Sequence, residues 1–249
     1  DSDDWFDRDA YLKMLDKIKS FEVAQFPDLI ICNYVYDHLD EGIQKPMNYR
    51  NVFPTEKMCN WNTIGHFHPS QYLIMHALMF QTKVLRQSGV KLPEHTFYVD
   101  NLFSYQPLPY AKNLYYMDID LYHYYLGRED QSVNEKVLMK RIDQQIRVTK
   151  LMLGYYDVTK IQNKKLRHYM VRYLEIMMVI CSILAIKSGS EENMAKKKAL
   201  WEEVKRSNPT LYLRLRWGFL GQGMNLPGKG GRSLSIAGYK IAQKFFGFN

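Results

Sequence analysis

The sequence predicts a mixed α/β protein in two parts, an α/β part over residues 1–132 and a mostly helical, basic part over residues 133–249. Two stretches rich in β-branched and aromatic residues, 28–36 and 113–125, are typical of strands. Charge changes between the two parts. The first has 12 Lys and Arg against 18 Asp and Glu, a net charge of −6, and the second has 22 against 8, a net charge of +14. We therefore expect the two parts to meet different partners.

The first part opens with a predicted amphipathic helix at 9–21, where apolar residues recur at helical spacing behind an Asp-rich turn. After the strand at 28–36, the Gly, Pro and Asn residues of 41–70 predict a hairpin or an irregular segment. Residues 72–80 are a second strand candidate, and 82–89 form a short helix closed by its Gly. The aromatic stretch 113–125 predicts one strand or a bent pair.

In the second part, apolar positions three and four apart predict helices, with Gly189 and Pro209 at the breaks. The tail predicts a Gly-rich loop at 221–232 and then a basic amphipathic helix at 235–249. The predicted helices before this tail span 134–153, 161–187 and 191–206.

Composition narrows the class of protein. The cysteines Cys32, Cys59 and Cys181 are widely spaced and odd in number, which argues against a disulfide framework or a zinc ribbon. The longest apolar run, 176–186, is too short to span a bilayer, and it predicts a buried helix. Without a basic-then-apolar leader, these features predict a cytoplasmic protein. Nucleic-acid binding is not expected, because the basic part carries no helix-turn-helix, RNA-recognition or zinc signature.

Acidic residues at the start of the chain are the first candidate site. Asp1 and Asp3 stand two positions apart in D-S-D-D-W-F. Two such carboxylates in a turn can bind one Mg²⁺ or Mn²⁺ ion that also contacts the phosphates of a ligand. The alternative is an acidic cap for the helix that follows.

Asp100 is the second candidate, because its neighbours are apolar or aromatic. Partial desolvation raises the pKa of such a carboxylate toward the range of a general base. The alternative is that Asp100 caps a helix starting at Asn101. A third candidate is the loop with Arg128 and Ser132, a potential phosphate clamp, unless Arg128 pairs with its acidic neighbours.

Histidines supply the last candidates. His66 and His68 in H-F-H would lie on one face of a strand, a spacing that zinc sites use, but no third close ligand accompanies them. We therefore interpret these two and His76 as loop or pocket-wall residues rather than as metal ligands.

Three motifs follow one another along the chain: D-S-D-D-W-F at the start, Y-V-D-N-L-F around Asp100, and L-Y-H-Y-Y-L-G-R-E-D-Q-S-V at 121–133. In this order, with 97 positions between Asp3 and Asp100, they resemble the later part of a bacterial family 2 glycosyltransferase of the GT-A fold. The resemblance covers essentially the whole chain, including N-L-P-G-K in the tail. It implies that residues 1–132 form the C-terminal, acceptor-side part of a GT-A (Rossmann-like) domain, followed by a basic helical domain.

The resemblance also implies roles. Asp1 and Asp3 would hold Mn²⁺ or Mg²⁺ with the ribose and diphosphate of a nucleotide-sugar donor. Asp100 would deprotonate the acceptor hydroxyl in an inverting transfer, and Arg128 and Ser132 resemble the loop that closes over the diphosphate. The family's usual Glu-Asp pair reads Val99-Asp100 here, which weakens the assignment of the base.

The acceptor would be a saccharide or a lipid-linked saccharide of cell-surface polysaccharide or glycolipid synthesis. We expect it near Trp61, His66, His68, His76 and Asp100. The family's nucleotide-binding half would precede Asp1, so the 249 residues alone are expected to be inactive. A non-catalytic carbohydrate-binding or scaffolding relative is the alternative.

The basic part ends in a helix with Lys240 and Lys244 among aromatic and aliphatic residues. This pattern suits an anionic membrane surface, with the protein peripheral at the inner face of the cell membrane. The same pattern arises if the helix packs its aromatic face on the protein's own core.

Overall fold

The protein is described by a computed structural model that covers residues 3–38, 42–69, 71–127, 131 and 134–246. The chain divides into two compact units. A sheet unit comprises Asp1–Leu92 and Phe103–Glu129, and a helical unit comprises Pro93–Leu102 and Asp130–Asn249. Residues 93–102 therefore group with the helices, whereas the sequence-based boundary at 132/133 leaves them with the sheet.

The sheet unit is built on a six-stranded mixed sheet, which confirms the predicted mixed α/β class. Its order is β1-β6-β2-β3, with β4 also paired to β6 and β5 to β2. Strands β2 and β6 run parallel, and the other described pairings are antiparallel. The strands are β1 (Trp5–Phe6), β2 (Leu29–His38), β3 (Ile43–Met47), β4 (Met58–Cys59), β5 (Leu78–Phe80) and β6 (Leu114–Tyr125).

Helix α1 (Arg8–Ser20) covers one face of this sheet. The Asp7 side chain caps it by accepting a hydrogen bond from the Ala10 N–H at 2.8 Å. Each large apolar side chain buried here contributes about 1.5–3 kcal/mol. The buried residues of this layer are Ala10, Met14, Ile30, Cys32, Tyr115, Met117 and Leu121.

The parallel β2–β6 ladder is irregular at its centre. Cys32 pairs with Met117, but the next residue, Asn33, pairs with Asp120, and its register shifts again before Tyr34. Such a bulge leaves extra residues on one strand and redirects their side chains. Here it brings Asn33 against the acidic stretch of β6.

The segment between β3 and β5 is largely irregular, as predicted, apart from the short strand β4. Gly65 packs so closely on the chain that a Cβ there would lie 2.2 Å from the Asn51 carbonyl oxygen. The strand predicted at 72–80 is correct only at 78–80, because Met75–Ala77 form a 3-10 turn. Leu73 and Ile74 are buried without belonging to the ladder, so their apolar character gave a false strand signal.

Two short helices complete the middle of the chain, α2 (Thr82–Ser88) and α3 (Asp100–Tyr105). Gly89 closes α2 in the left-handed conformation with a φ of 63°, as its predicted role requires.

The helical unit is organised around the long helix α6, which packs against α5, α7, α9 and α10. The helices predicted at 161–187 and 191–206 are confirmed with small shifts, with Gly189 following α6 and Pro209 starting α8. The single helix predicted at 134–153 is wrong, because two helices meet there at Arg141. The loop predicted at 221–232 is mostly wrong, because residues 221–224 belong to α9 and residues 228–232 belong to α10. The helices are α4 (Glu135–Lys140), α5 (Ile142–Tyr155), α6 (Lys164–Ser188), α7 (Glu191–Ser207), α8 (Pro209–Trp217), α9 (Phe219–Met224) and α10 (Gly228–Phe246).

Among the described residues, α6 is the helix long and apolar enough to cross a membrane by length and composition. Of the residues in its most apolar window, 67% are buried. The apolar run 176–186 is thus part of a buried helix, as predicted.

Candidate functional site

Five rings cluster on the carboxyl halves of β2 and β6 and on the turn before β5. Tyr34 pairs with Tyr122, and Tyr36 with Tyr124, so the alternation of each strand places these rings together. His76 stacks on Tyr124 at 4.5 Å with an interplanar angle of 16°, and it meets Tyr122 edge-on at 4.7 Å. Tyr34 and Tyr36 are T-shaped at 5.1 Å. We call Tyr34, Tyr36, His76, Tyr122 and Tyr124 the ring cluster.

His76 is the unusual member of the ring cluster. Both of its ring nitrogens are buried, and neither has a hydrogen-bond partner among the residues that the structure describes. Burial lowers the pKa of His76 to about 4. The imidazole is therefore neutral near pH 7 and acts in the ring cluster as an aromatic surface rather than as a cation.

A polar network lies next along the same two strands. The Asn33 side chain, 2% exposed, donates hydrogen bonds to Asp118 and to Asp120, each at 2.9 Å. The Tyr116 hydroxyl donates to the Asn33 Oδ1 at 2.6 Å, and Arg50 Nε donates to the Asp118 Oδ2 at 2.6 Å. We call Asn33, Arg50, Tyr116, Asp118 and Asp120 the polar network.

The polar network holds Asp118 in its ionised form. Burial alone would raise the pKa of Asp118, but the hydrogen bonds from Arg50, Asn33 and Tyr116 outweigh burial and lower it. Asp120 is exposed at the end of the network. The Asp118 carboxylate, paired with the Arg50 guanidinium, and the exposed Asp120 carboxylate thus lie next to the ring cluster along β6.

Tyr49 supports both groups from the loop after β3. Its backbone N–H donates to the Tyr116 hydroxyl at 3.2 Å, and its ring lies 6.4 Å from that of Tyr116. Its own hydroxyl donates to the Tyr72 carbonyl at 3.0 Å, four residues before His76. The fully buried Tyr49 therefore fixes the loop against the polar network and the turn that carries His76.

The acidic opening is tied to the ring cluster through Asp4. The Tyr122 hydroxyl donates to the Asp4 Oδ2 at 2.7 Å, and the Tyr125 N–H donates to the Asp4 Oδ1 at 3.0 Å. Of the predicted metal ligands, Asp3 lies in a half-buried turn, and Asp1 lies outside the described residues. Within the described part of the chain, no group of three His, Cys, Asp or Glu side chains could hold a metal ion.

On alternate positions of the same strands, Asp37 and His123 form a buried pair. His123 Nδ1 lies 2.7 Å from the Asp37 Oδ2, and Gln44 donates to that same oxygen at 3.0 Å. Trp5 stacks on His123 at 5.0 Å. These contacts join β1, β2, β3 and β6, so we assign the pair a structural role in holding the sheet edges together.

Asp100 is the first residue of α3, so its carboxylate lies at the N-terminus of that helix. It is half-buried. Burial raises the pKa of its carboxyl, and the N–H groups of Asp100 and Asn101 partly oppose that effect. This is the direction that a general base requires.

The backbone leading to Asp100 is strained. His95 and Tyr98 have φ values of 51° and 68°, in the left-handed region that non-glycine residues rarely adopt. The Phe97 N–H donates to Gln144 of α5 at 2.7 Å, and the Arg141 guanidinium lies 3.5 Å from the Phe97 ring centre. Strain of this kind persists only where surrounding contacts impose it, and it concentrates at functional sites.

The structure also describes Trp61, His66 and His68 among the other predicted site residues. Trp61 is a core residue whose indole N–H donates to the Ala111 carbonyl at 2.8 Å. His66 and His68 are exposed on a loop, so the strand expected for H-F-H is wrong. Their backbones contact the Asn51 and Gln71 side chains. Arg128 and Ser132 lie outside the described residues.

Sequence reasoning identified His76 but missed the polar network and Asp4. A signal for the network is present in M-D-I-D-L, where Asp118 and Asp120 interrupt an otherwise aromatic and apolar strand. Asn33 carries a similar signal inside β2, because an amide in a buried strand needs partners.

Comparison of this chain with protein-family models gives no match, and comparison with curated proteins gives none. The function must therefore be inferred from the ring cluster, the polar network and the surroundings of Asp100.

Proposed function

We propose that this chain forms the acceptor-side part of a metal-dependent, inverting glycosyltransferase. It would transfer a sugar from a nucleotide-diphosphate sugar to a hydroxyl of a saccharide or lipid-linked acceptor, in the synthesis of a cell-surface polysaccharide or glycolipid. The observation that carries the proposal is the ring cluster beside the polar network on β2 and β6.

Saccharides require both kinds of group. A pyranose has an apolar face of C–H groups that packs on aromatic rings, and a rim of hydroxyls that both donate and accept hydrogen bonds. Tyr36, Tyr122 and Tyr124 are half-buried, so each residue keeps some contact with solvent. Asp120 can accept from a hydroxyl, and Arg50 can donate to one.

The ionisation states suit a neutral, polyhydroxylated ligand. The lowered pKa of Asp118 keeps this carboxylate an acceptor, and Arg50 balances its charge. The neutral His76 adds an aromatic surface without a positive charge. A surface of this kind discriminates by the placement of hydroxyls rather than by net charge.

For the transfer step we propose Asp100 as the general base. Its carboxylate would take the proton of the acceptor hydroxyl while that oxygen forms a bond to the anomeric carbon. The bond from that carbon to the nucleotide diphosphate breaks, and the diphosphate leaves with the electron pair. The raised pKa of Asp100 supports the assignment, since a stronger base accepts the proton more readily.

Asp3 is the described residue that would contribute to an Mg²⁺ or Mn²⁺ site, together with Asp1. Mg²⁺ commonly takes one or two protein carboxylates and completes its coordination with substrate phosphates and water, so a small protein ligand set fits. When bound, such an ion would neutralise the charge of the leaving diphosphate. We propose that Arg128 and Ser132 bind the same diphosphate.

Donor consumption tests the proposal. UDP-, GDP- and TDP-sugars are offered to the product of the complete gene, with Mn²⁺ and then with EDTA. We expect one donor to be consumed only with metal. Asp100→Asn should lower kcat by about 10²–10⁴-fold, whereas Glu94→Gln, an exposed carboxylate on the same loop, should not. Full activity of Asp100→Asn would refute the base assignment.

The ring cluster also favours a second candidate, a non-catalytic carbohydrate-binding or scaffolding relative. Saccharide binding to the 249-residue chain separates the two functions. Tyr124→Ala should weaken binding about tenfold, and Tyr110→Ala, which removes an exposed ring elsewhere, should not. Saccharide binding with no donor consumed under any condition would support the binding protein and refute the transferase.

A further inference from the structure

The junction of α8 and α9 exposes a group of large apolar side chains. Leu213 is 54% exposed, Trp217 is 63% exposed and Phe219 is 89% exposed. We call Leu213 and the residues 217–219 the α8–α9 corner. A contiguous patch of exposed apolar residues often marks a surface that binds another protein or a membrane.

Close packing lies beneath the α8–α9 corner at its two glycines. A Cβ on Gly221 would lie 1.7 Å from the Leu215 carbonyl oxygen, and one on Gly218 would lie 2.8 Å from the Glu175 carboxylate. The Gln222 side chain donates to the Trp217 carbonyl at 2.8 Å. Trp217 and Phe219 therefore lie on either side of a closely packed glycine.

The sequence around the corner is basic, although the Glu175 carboxylate, which pairs with Arg172, lies close to Gly218. Glu203 is the last acidic residue of the chain, and residues 204–249 contain eight Lys and Arg and no Asp or Glu. Within the described part of the chain, Arg214 and Arg216 form no ion pair. The Arg216 guanidinium lies 5.2 Å from the Trp217 ring centre.

Lys197, which is buried inside the helical unit, is close to two of these positive charges. Lys197 is 9% exposed, and its ammonium group donates to the Asn225 side chain at 3.1 Å. Burial lowers the pKa of Lys197 to about 8, and the charges of Arg216 and Arg232 add to this effect. Arg216 of α8 and Arg232 of α10 thus both lie near enough to Lys197 of α7 to affect its charge.

We propose that the α8–α9 corner docks this protein on an anionic lipid bilayer. Trp217 and Phe219 would enter the boundary between headgroups and acyl chains, and Arg214 and Arg216 would contact lipid phosphates. Helix α10, which packs on α9, adds the exposed Leu234 and Ile241 to the apolar surface of this unit. The docking is independent of glycosyl transfer and is tested without it.

Charge complementarity selects the bilayer over a second copy of the chain. A symmetric contact through the corner would bring two sets of uncompensated Arg side chains together, which is unfavourable. An anionic leaflet attracts each of them, and the exposed indole is typical of membrane interfaces. The buried α6 is not needed for attachment at this surface.

Vesicle sedimentation of the complete chain tests the proposal. The vesicles contain either phosphatidylcholine alone or equal parts of phosphatidylcholine and anionic phosphatidylglycerol. We expect binding only to the anionic vesicles, reduced by salt. Arg214→Gln with Arg216→Gln should weaken partitioning about 30-fold, the effect of two cations near an anionic surface. Phe219→Ala should weaken it about tenfold.

Two control variants separate docking from general effects of charge or folding. Lys136→Gln with Lys140→Gln removes two exposed cations of α4, and Leu151→Ala shortens an exposed apolar residue of α5. Both should bind vesicles like the wild-type chain. Equal losses in the control and corner variants would overturn the proposal, as would absence of binding to anionic vesicles. Concentration-dependent dimers that Phe219→Ala abolishes, without vesicle binding, would show that a second copy is the occupant.

Discussion

His76 should make the sheet unit sensitive to mild acid. In the folded protein the pKa of this imidazole is about 4, against an ordinary value of about 6.5 in the unfolded chain. Between these values the unfolded state binds more protons than the folded state, so stability falls as pH falls. Protonation of His76 in the unfolded chain lowers the free energy of unfolding by about 3 kcal/mol once the pH is well below both pKa values. About 2 kcal/mol of this loss falls between about pH 7 and pH 4.5.

The assay compares the wild-type 249-residue chain with its His76→Phe variant. Phenylalanine keeps a ring against Tyr124 but removes two buried nitrogens that have no partner among the described residues. Trp201→Phe with Trp217→Phe leaves Trp5 and Trp61, both in the sheet unit, as the tryptophan reporters. Urea unfolding in this background then gives the free energy of unfolding of the sheet unit at each pH.

We expect the wild-type protein to lose about 2 kcal/mol more than His76→Phe over this pH range. At about pH 7 the variant should be at least as stable as the wild-type protein, because the replacement removes a desolvated polar group. A difference between the two proteins that stays constant with pH would refute the reasoning. It would mean that the folded imidazole is protonated as readily as the unfolded one.

Three further predictions concern individual side chains. Gly65→Ala should destabilise the sheet unit by more than about 2 kcal/mol in urea unfolding, because its Cβ would meet the Asn51 carbonyl at 2.2 Å. Asn33→Ala should raise the carboxyl pKa of Asp118, measured by NMR titration, since this carboxylate loses a donor. The free energy of unfolding of the wild-type helical unit should rise by about 3 kcal/mol between about pH 8 and pH 10.5. In this range Lys197 keeps its proton in the unfolded chain but has lost it in the folded protein. Lys197→Met should lack that gain in denaturant titrations, and an unchanged pH profile would contradict the low pKa.

Elements with a clear local signal were predictable from the sequence. Helix α1, strand β2 and the helices of the basic part followed from periodicity, and Gly89 and Gly189 marked helix ends at positive φ. The failures occurred where tertiary contact overrode local preference. Leu73, Ile74 and Ala77 are buried without joining the sheet, and most of the Gly-rich tail is helical, with Gly221 packed closely against the Leu215 backbone.

The candidate site was predictable only in part. Asp100 was selected for its apolar neighbours and His76 as a loop or pocket-wall histidine. Burial raises the pKa of Asp100 and lowers the pKa of His76. The polar network was missed because Asn33 and Asp118 are 85 positions apart, and only the β2–β6 register brings them within hydrogen-bonding distance. Asp4 was likewise assigned to a general acidic cluster, since its partner Tyr122 lies 118 positions away.

The sequence by itself determined the mixed α/β class, the helical character of the basic part and the contrast in charge between the two parts. These properties depend on composition and on contacts a few residues apart along the chain. Tertiary structure alone decided which carboxylates share a donor, which histidine loses its solvent and which aromatic residues remain exposed. Strand register and burial set these properties, because both depend on contacts between residues far apart in the sequence.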